Sequence, residues 1–440
     1  MAETKNCKQC QQEFTVDDAD LAFYNKISPT FAGKKYPIPS PTLCPRCRWQ
    51  RRIVWRDEYI LYRRKCDLSG RDMISRHHPD TSFPVYYTEE WQSDKWNPLD
   101  YGMDFDFNRP FFEQFGELVG KVPKPSVYSD VTTNQNSEYV NCAGFVKNCY
   151  MVVEADRNED CLYSRGITDS KDCADCLRSN DSQFCYEGVD INKCYQCMYV
   201  QDLENCSECY FSSNLIGCKY CFGCDGLQQK QYYLFNEAVG KEKWEEFMGS
   251  VRYSPMQVEQ YRRQLEEIRL KTPKRFAKIY KCENCQGDHL IHCKNTKFSF
   301  NSINQQDCRY CFEIQSDAKD AYDFSTFGLA TSLVYECNSC GYNSYNLLFS
   351  NDTWSNMRDS FYCDNVQSSK SCFGCVGIRH QEFCILNKKY SKEQYEELVA
   401  KIIEHMQATG EWGEYFPMSI SPFAYNETLA QDNFPLTKEE

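Results

Sequence analysis

Residues 197–224 read CMYVQDLENCSECYFSSNLIGCKYCFGC and hold six of the chain's 29 cysteines. Such thiols bind metal, pair with one another, or fill space. Spacing narrows the choice. Cys149, Cys161, Cys173, Cys185, Cys197, Cys209 and Cys221 follow at twelve-residue intervals without a slip. A fixed short period marks stacked units, each burying one side against the next. Stretches such as CYMVVEAD and CYFSSNLIG mix aromatic and β-branched residues between Asn, Asp, Ser and Gly, which favours strand over helix. Residues 140–225 therefore read as a β-solenoid, with one rung per twelve residues or two such units in a larger coil. Stacked rungs lie about 4.8 Å apart.

Working outward, Cys194, Cys206 and Cys218 stand three residues before ladder positions. Neighbouring rungs can then present Cys194, Cys197, Cys206 and Cys209 together as a four-sulfur zinc site. CKYCFGC also shows the start of an iron–sulfur run, but the fourth Cys-Pro is missing. An internal duplication argues for a plainer role. NCYMVVEADRNEDCLY at 148–163 returns as NTKFSFNSINQQDCRY at 295–310, CFGCDG at 221 as CFGCVG at 372, and GKEKWEEFM at 240 as SKEQYEELV at 391. In the second copy Thr296, Ala321, Val334, Leu347 and Ser360 replace ladder cysteines, while Cys308 and Cys372 keep theirs. A thiol that exchanges with Ala, Val or Leu behaves as a small hydrophobe. The second copy also offers Cys282, Cys285, His289 and Cys293 as a further metal set.

The N-terminus carries the most specific chemistry. Cys7-x2-Cys10 and Cys44-Pro-Arg-Cys47 supply four thiolates in two short turns, the arrangement a tetrahedral Zn²⁺ accepts. With no open ligand position the metal is structural. Between Cys44 and Lys65 there are eight basic and two acidic residues, a local net of +6 in a chain of −13. A helix through RWQRRIVWRDEYILYRR places Arg48, Arg51, Arg52 and Arg56 along one face, where they meet phosphates or pair with acids of the same chain. Trp49 and Trp55 are candidates to stack on unpaired bases.

The first 55 residues resemble the zinc-ribbon and treble-clef family through Cys7, Cys10, Phe14, Phe23, Tyr24 and CPRCRWQRR. That resemblance implies a helix leaving the second cysteine pair. The whole chain resembles cysteine-rich proteins with an N-terminal zinc finger encoded by uncultivated, small-genome bacteria, including through DYGMDFDFNRPFFEQF and SPFAYNETLAQDNFPLTKEE. A CoA-transferase assignment made for similar sequences has no residue pattern behind it here.

The remaining signals set the frame. Hydrophobic content of 41% and charge of 26% suit a globular chain, with 31 Tyr and 28 Phe far above ordinary usage. Cys66 with His77 and His78 makes a poor metal set, so a buried thiol is expected. The aromatic run from Val85 to Val119 reads as packing against a neighbouring domain. MAETKNCKQCQQEF lacks a secretory start and no apolar run reaches membrane length, so a cytoplasmic, reduced chain with no membrane partner is expected. Ser391 and Gln394 form a capping box before an apolar stripe of Tyr395, Leu398, Val399, Ile402, Ile403 and Met406; Pro255 opens a helix with Val258, Tyr261, Leu265 and Ile268 inward. These helices are expected to cover the ladder ends.

The expected fold is mainly β with helical additions: a treble-clef finger with basic helix at 1–60, an aromatic connecting region at 61–135, a first solenoid repeat domain at 136–236, a helical segment at 237–275, a second solenoid at 276–388, and a capping helix with tail at 389–440. The expected function is a zinc-binding scaffold or interaction protein whose partner is nucleic acid, through the finger, or another protein. Two alternatives stay open: an enzyme with its site between the two repeat domains, and a thiol or metal-storage protein. No nucleophile elbow, phosphate-cradling loop or metalloprotease motif supports the enzyme.

Overall fold

The computed structural model describes residues 2–314 and 317–440. The chain is mainly β with helices at both ends and in the middle. Its largest sheet holds ten strands in near-sequential order from Val140–Gly144 to Glu237–Ala238, all parallel but for the last pairing. Register is constant: Tyr186 faces Met198, Met198 faces Tyr210, and Cys209 faces Cys221, twelve residues apart each time.

The finer unit is three residues long. From Cys142 to Tyr232 nearly every third residue has a left-handed backbone, as at Asn148, Asp160, Asp172 and Asp202, with Gly at 166, 217, 223 and 226. Asn, Asp and Gly populate that region at the least steric cost. The residue after each such corner points inward: Cys149, Cys161, Cys173, Cys185, Cys197, Cys209 and Cys221 are all buried, as are Cys176, Cys194, Cys206, Cys218 and Cys224 in the same phase. Corner amides stack between rungs, Asn136 donating to Asn148 and Asn148 to Asp160 at 3.0 and 2.9 Å.

The second ladder runs from Ile279–Tyr280 to Lys388–Lys389 in sheets of three and eight strands. Its register changes along the way. Glu283 faces Lys294 at eleven residues and Lys294 faces Gln306 at twelve. Lys319, Ser332, Tyr345 and Arg358 then follow at thirteen, and Arg358, Lys370 and Glu382 at twelve. In the thirteen-residue rungs one side holds four residues, so buried positions step from Cys340 to Ser344 and from Thr353 to Met357. Ala321, Val334, Leu347 and Ser360 stand in one register column, all buried.

The N-terminal segment and the C-terminal helix pack on this second ladder. The finger helix Pro45–Ile53 lies on the strands Lys319–Ser325 and Ser332–Cys340. Phe23 stacks on Tyr322 at 3.7 Å between ring centres. Helix Lys392–Thr409 has the expected Ser391/Gln394 capping box and buries Tyr395, Val399, Ile402, Ile403 and Met406 against Glu382–Ile385. Its counterpart after the first ladder, Lys241–Ser250, buries Trp244 alone. The helix that follows, Pro255–Lys271, buries no residue fully, and its Val258 and Tyr261 are only half covered beside Phe211 and Phe222.

Two expectations need correction. The basic helix ends at Ile53, and Tyr62–Lys65 is a strand. No proline or glycine stops it. Trp55 leaves the helical path to bury itself beside Phe416, and Arg56, Asp57 and Glu58 to meet Ser339, Asn141 and Arg165 of the ladders. Of the two readings of the arginine face, pairing with acids of the same chain is the one seen, but as a buried face and not a solvated one: Arg48, Arg51, Arg52 and Arg56 are all buried.

Candidate metal centre and the cleft between the ladders

Cys7 lies in the turn between the strands Glu3–Asn6 and Glu13–Val16, and Cys10 three residues on. Cys44 is the N-cap of the finger helix, Pro45 takes its first position, and Cys47 sits in the first turn. The four sulfurs lie within 4.8 Å of one another. Cys10 and Cys44 sulfurs are 3.7 Å apart, close to the roughly 3.8 Å edge of a tetrahedron with Zn–S bonds of about 2.3 Å. Against the cost of burial, backbone amides of Cys44, Cys10 and Gln9 pull the Cys7 thiol down to about 6. Burial and the neighbouring sulfurs push Cys47 up. Four converging sulfurs with a thiolate already favoured among them fit a structural Zn²⁺.

Downstream of this centre the arginines are consumed. Arg48 meets Asp323 at 2.8 Å, Arg51 meets Glu336 at 3.0 Å and Glu414 at 2.6 Å, and Arg52 meets Glu336 at 2.9 Å and Asp323 at 3.3 Å. Asp323 and Glu336 are corner residues of adjacent rungs, each with a left-handed backbone. Against the cost of burial, Arg51, Arg52 and Arg48 keep Glu336 low. Trp49 stacks on Phe312 at 4.0 Å with Phe434 edge-on to it, and Trp55 is fully buried beside Phe416, so both rings are engaged within the chain.

Arg56 opens a second network. It pairs with Glu58 at 2.9 Å and with Glu154 and Asp352 at 3.5 Å. Arg165 joins Glu58, Glu154 and Glu313, and Arg76 joins Asp352. Burial, with Glu58 and Glu313 alongside, pushes Glu154 well above the usual carboxylate range. Against burial, Arg165 and Arg56 hold Glu58 down at about 2.

Arg56 and Glu154 reach the surface of a cleft of about 830 Å³ between the two ladders and the connecting region, walled by Tyr128, Tyr342 and Trp354. Cys142 opens into it from a corner with φ 55°, off the inward phase of the other first-ladder thiols. Burial pushes that thiol up despite Arg56 nearby, the opposite of what an activated nucleophile needs.

The remaining candidate ligands are placed as follows. Cys194, Cys197, Cys206 and Cys209 are buried, and each thiol reaches the carbonyls two residues before and nine after it, as Cys197 reaches Tyr195 at 3.5 Å and Cys206 at 3.8 Å. Thr296 and Ser360 make the same short contact with their hydroxyls. Cys282, Cys285 and Cys293 likewise donate to backbone carbonyls. His289 turns toward Asp190 and Asp202 of the first ladder. Among the described residues, the groups of three or more ligand atoms converging within 4.8 Å are the finger cysteines and this Asp190, Asp202 and His289 set. The sequence reading missed the second set because its histidine and its aspartates lie in different ladders, far apart along the chain. Cys66 is buried and donates to Glu90 at 3.0 Å. Among the described residues no helix is long and apolar enough to cross a membrane.

No family model and no curated protein matches the chain. Among solved structures it is similar to an inferred acetyltransferase from Desulfovibrio desulfuricans G20, with 9% identity and a TM-score of 0.14. That similarity covers 54% of this chain and 63% of the other, and at so low a score it carries no argument about fold or activity.

Proposed function

We propose that the protein is a zinc-clasped interaction scaffold. In this reading residues 1–60 form a treble-clef finger, 136–236 and 276–388 are duplicated β-solenoids, 61–135 joins them, and 237–275 and 389–440 supply helical covers. The finger's metal holds the first turn of an arginine helix against the second solenoid, and the cleft between the solenoids receives a partner protein. The single observation that carries the reading is the convergence of Cys7, Cys10, Cys44 and Cys47 at the start of a helix whose arginines are spent on Asp323 and Glu336. Nucleic-acid binding through that helix has correspondingly little support. A storage role for the ladder thiols has little too, since they already donate to backbone carbonyls.

The test is zinc content and hydrogen exchange of the full chain under reducing conditions. One zinc held by the finger is expected, lost in Cys44→Ser. Its removal is expected to speed exchange in Lys319–Ser325 and Ser332–Cys340 while Tyr186–Glu204 stays protected. The reading fails if the finger holds no zinc, or if removing it leaves exchange in the second ladder unchanged.

A further inference from the structure

The set Asp190, Asp202 and His289 joins the two ladders and has no part in the finger. Asp190 lies on the strand Tyr186–Asn192 and Asp202 one rung on, on Met198–Glu204, both at left-handed corners of the same column. His289 comes from the second ladder's strand Gln286–Ile291. Its Nε2 is 3.8 Å from Asp190 Oδ2 and 3.7 Å from Asp202 Oδ1. Its Nδ1 is 3.3 Å from Asp288 Oδ2. The two aspartate side chains are only 14% and 11% exposed.

This geometry poses an electrostatic problem. With its proton on Nδ1, toward the Asp288 carboxylate, the imidazole presents a lone pair at Nε2, the arrangement found behind metal-bound histidines. Nε2 has no hydrogen-bond partner although it is buried. Its separation from both carboxylate oxygens is too long for a hydrogen bond. Three electron-rich atoms therefore face one point. Ligands about 2.1 Å from a tetrahedral ion stand roughly 3.4 Å apart, within a few tenths of an ångström of the distances seen. Two cations are already drawn to the spot: the Lys278 ammonium lies against Asp202 Oδ1, and Arg178 Nη2 donates to Asp190 Oδ2 at 3.0 Å. Lys278 and Arg178 each meet one carboxylate oxygen and leave Nε2 without a partner. A divalent ion satisfies all three at once.

We propose that Asp190, Asp202 and His289 bind one divalent cation that accepts mixed oxygen and imidazole ligands, of the Mn²⁺, Co²⁺ or Zn²⁺ type, and that this ion bolts the ladders together. Lys278 is its competitor and swings out to solvent when the ion enters.

The experiment uses the full chain with zinc in the finger and titrates Mn²⁺, following free Mn²⁺ by electron paramagnetic resonance. One Mn²⁺ per chain is expected, with binding weakened at least about tenfold in His289→Ala and Asp202→Asn. Lys278→Met removes the competitor and is expected to tighten binding. Co²⁺ at this site is expected to show ligand-field bands without the sulfur charge-transfer absorption of a thiolate site, which separates it from the finger. Far-ultraviolet dichroism and finger zinc content check that each variant is folded. The proposal is overturned if neither the natural chain nor Lys278→Met takes up Mn²⁺, Co²⁺ or Zn²⁺ beyond the finger's ion. It is equally overturned if uptake is unaffected by His289→Ala, or if Lys278→Met only loosens the ladders and binds no metal.

Discussion

The two ladders share one backbone device and differ in what they enclose and what covers them. The first keeps twelve residues per rung and lines much of its interior with thiols, set among Val152, Ile167, Ile191, Leu203 and Leu215. Where the second widens to thirteen, it encloses Phe324, Val334, Leu347 and Met357. One extra residue on one side lengthens the rung and makes room for hydrocarbon. Cysteine suits the narrow rung, being apolar enough to bury and small enough to fit beside the Leu203 and Leu215 that it also holds. The outer faces differ as well. Corners of the first ladder carry exposed Phe145, Tyr163 and Phe184, whereas the second ladder's corner column of Tyr310, Asp323, Glu336, Phe349 and Tyr362 lies under the finger helix and the C-terminal segment.

The covering of the second ladder is where the contrast breaks most sharply. Arg52→Met leaves Asp323 and Glu336 buried with one guanidinium fewer, and removing one partner of a buried pair costs about 3–5 kcal/mol. Denaturant unfolding read by hydrogen exchange is expected to show that loss in the second ladder, with the first unchanged. Equal loss in both would mean that the two unfold as one unit.

A reciprocal exchange tests the link between rung length and filling. Leu347→Ala in a thirteen-residue rung empties a site with no solvent exposure, at about 2–5 kcal/mol. Cys197→Leu in a twelve-residue rung overfills one, at about 1–3 kcal/mol. If Cys197→Leu is neutral, the narrow rung has slack and the explanation for its thiols is wrong.

Acid tests the packing around His77, which lies outside both ladders. His77 is buried between Phe83 and Phe423 with neither ring nitrogen hydrogen-bonded. Burial, then Arg76, Lys124 and Arg64, hold its pKa well below the ordinary 6.5. The unfolded chain binds a proton that the folded chain refuses. Stability is therefore full above about pH 6.5 and falls below it, by up to about 1.4 kcal/mol per pH unit from this group. Thermal unfolding between pH 7 and 5 is the measurement. His77→Phe is expected to flatten that dependence, and an unchanged slope would remove His77 as its source.

How much of this is legible in the sequence follows from distance along the chain. Cysteine pairs separated by two residues announce the four-sulfur cluster of Cys7, Cys10, Cys44 and Cys47 because both turns are local. The twelve-residue interval is equally plain from cysteine alone, but cysteine alone hides the three-residue side. Asn148–Cys149, Asp160–Cys161, Asp172–Cys173 and Asn205–Cys206 repeat a corner residue before an inward thiol, and that pattern carries the side. Arg178, Lys193 and Tyr199 obscure it by occupying other corners, where stacking overrides backbone preference. The arginines' fate is out of reach, since Arg52 and Glu336 are 284 residues apart. So is the helix end at Ile53, which burial imposes without a breaker in the sequence.

The smallest effect asks what a single thiol contributes. Cys197 has no exposed surface, and its Sγ reaches two carbonyls at 3.5 and 3.8 Å, long even for sulfur. If it is filler, Cys197→Ala loses one small buried group and costs about 1 kcal/mol, whereas Cys197→Ser regains the short contact that Ser360 makes with Arg358 at 2.8 Å. Both variants should keep the zinc content of the natural chain. A loss of metal or of several kcal/mol in Cys197→Ser would show the first ladder's sulfurs acting together, and the two ladders would then differ in chemistry as well as in width.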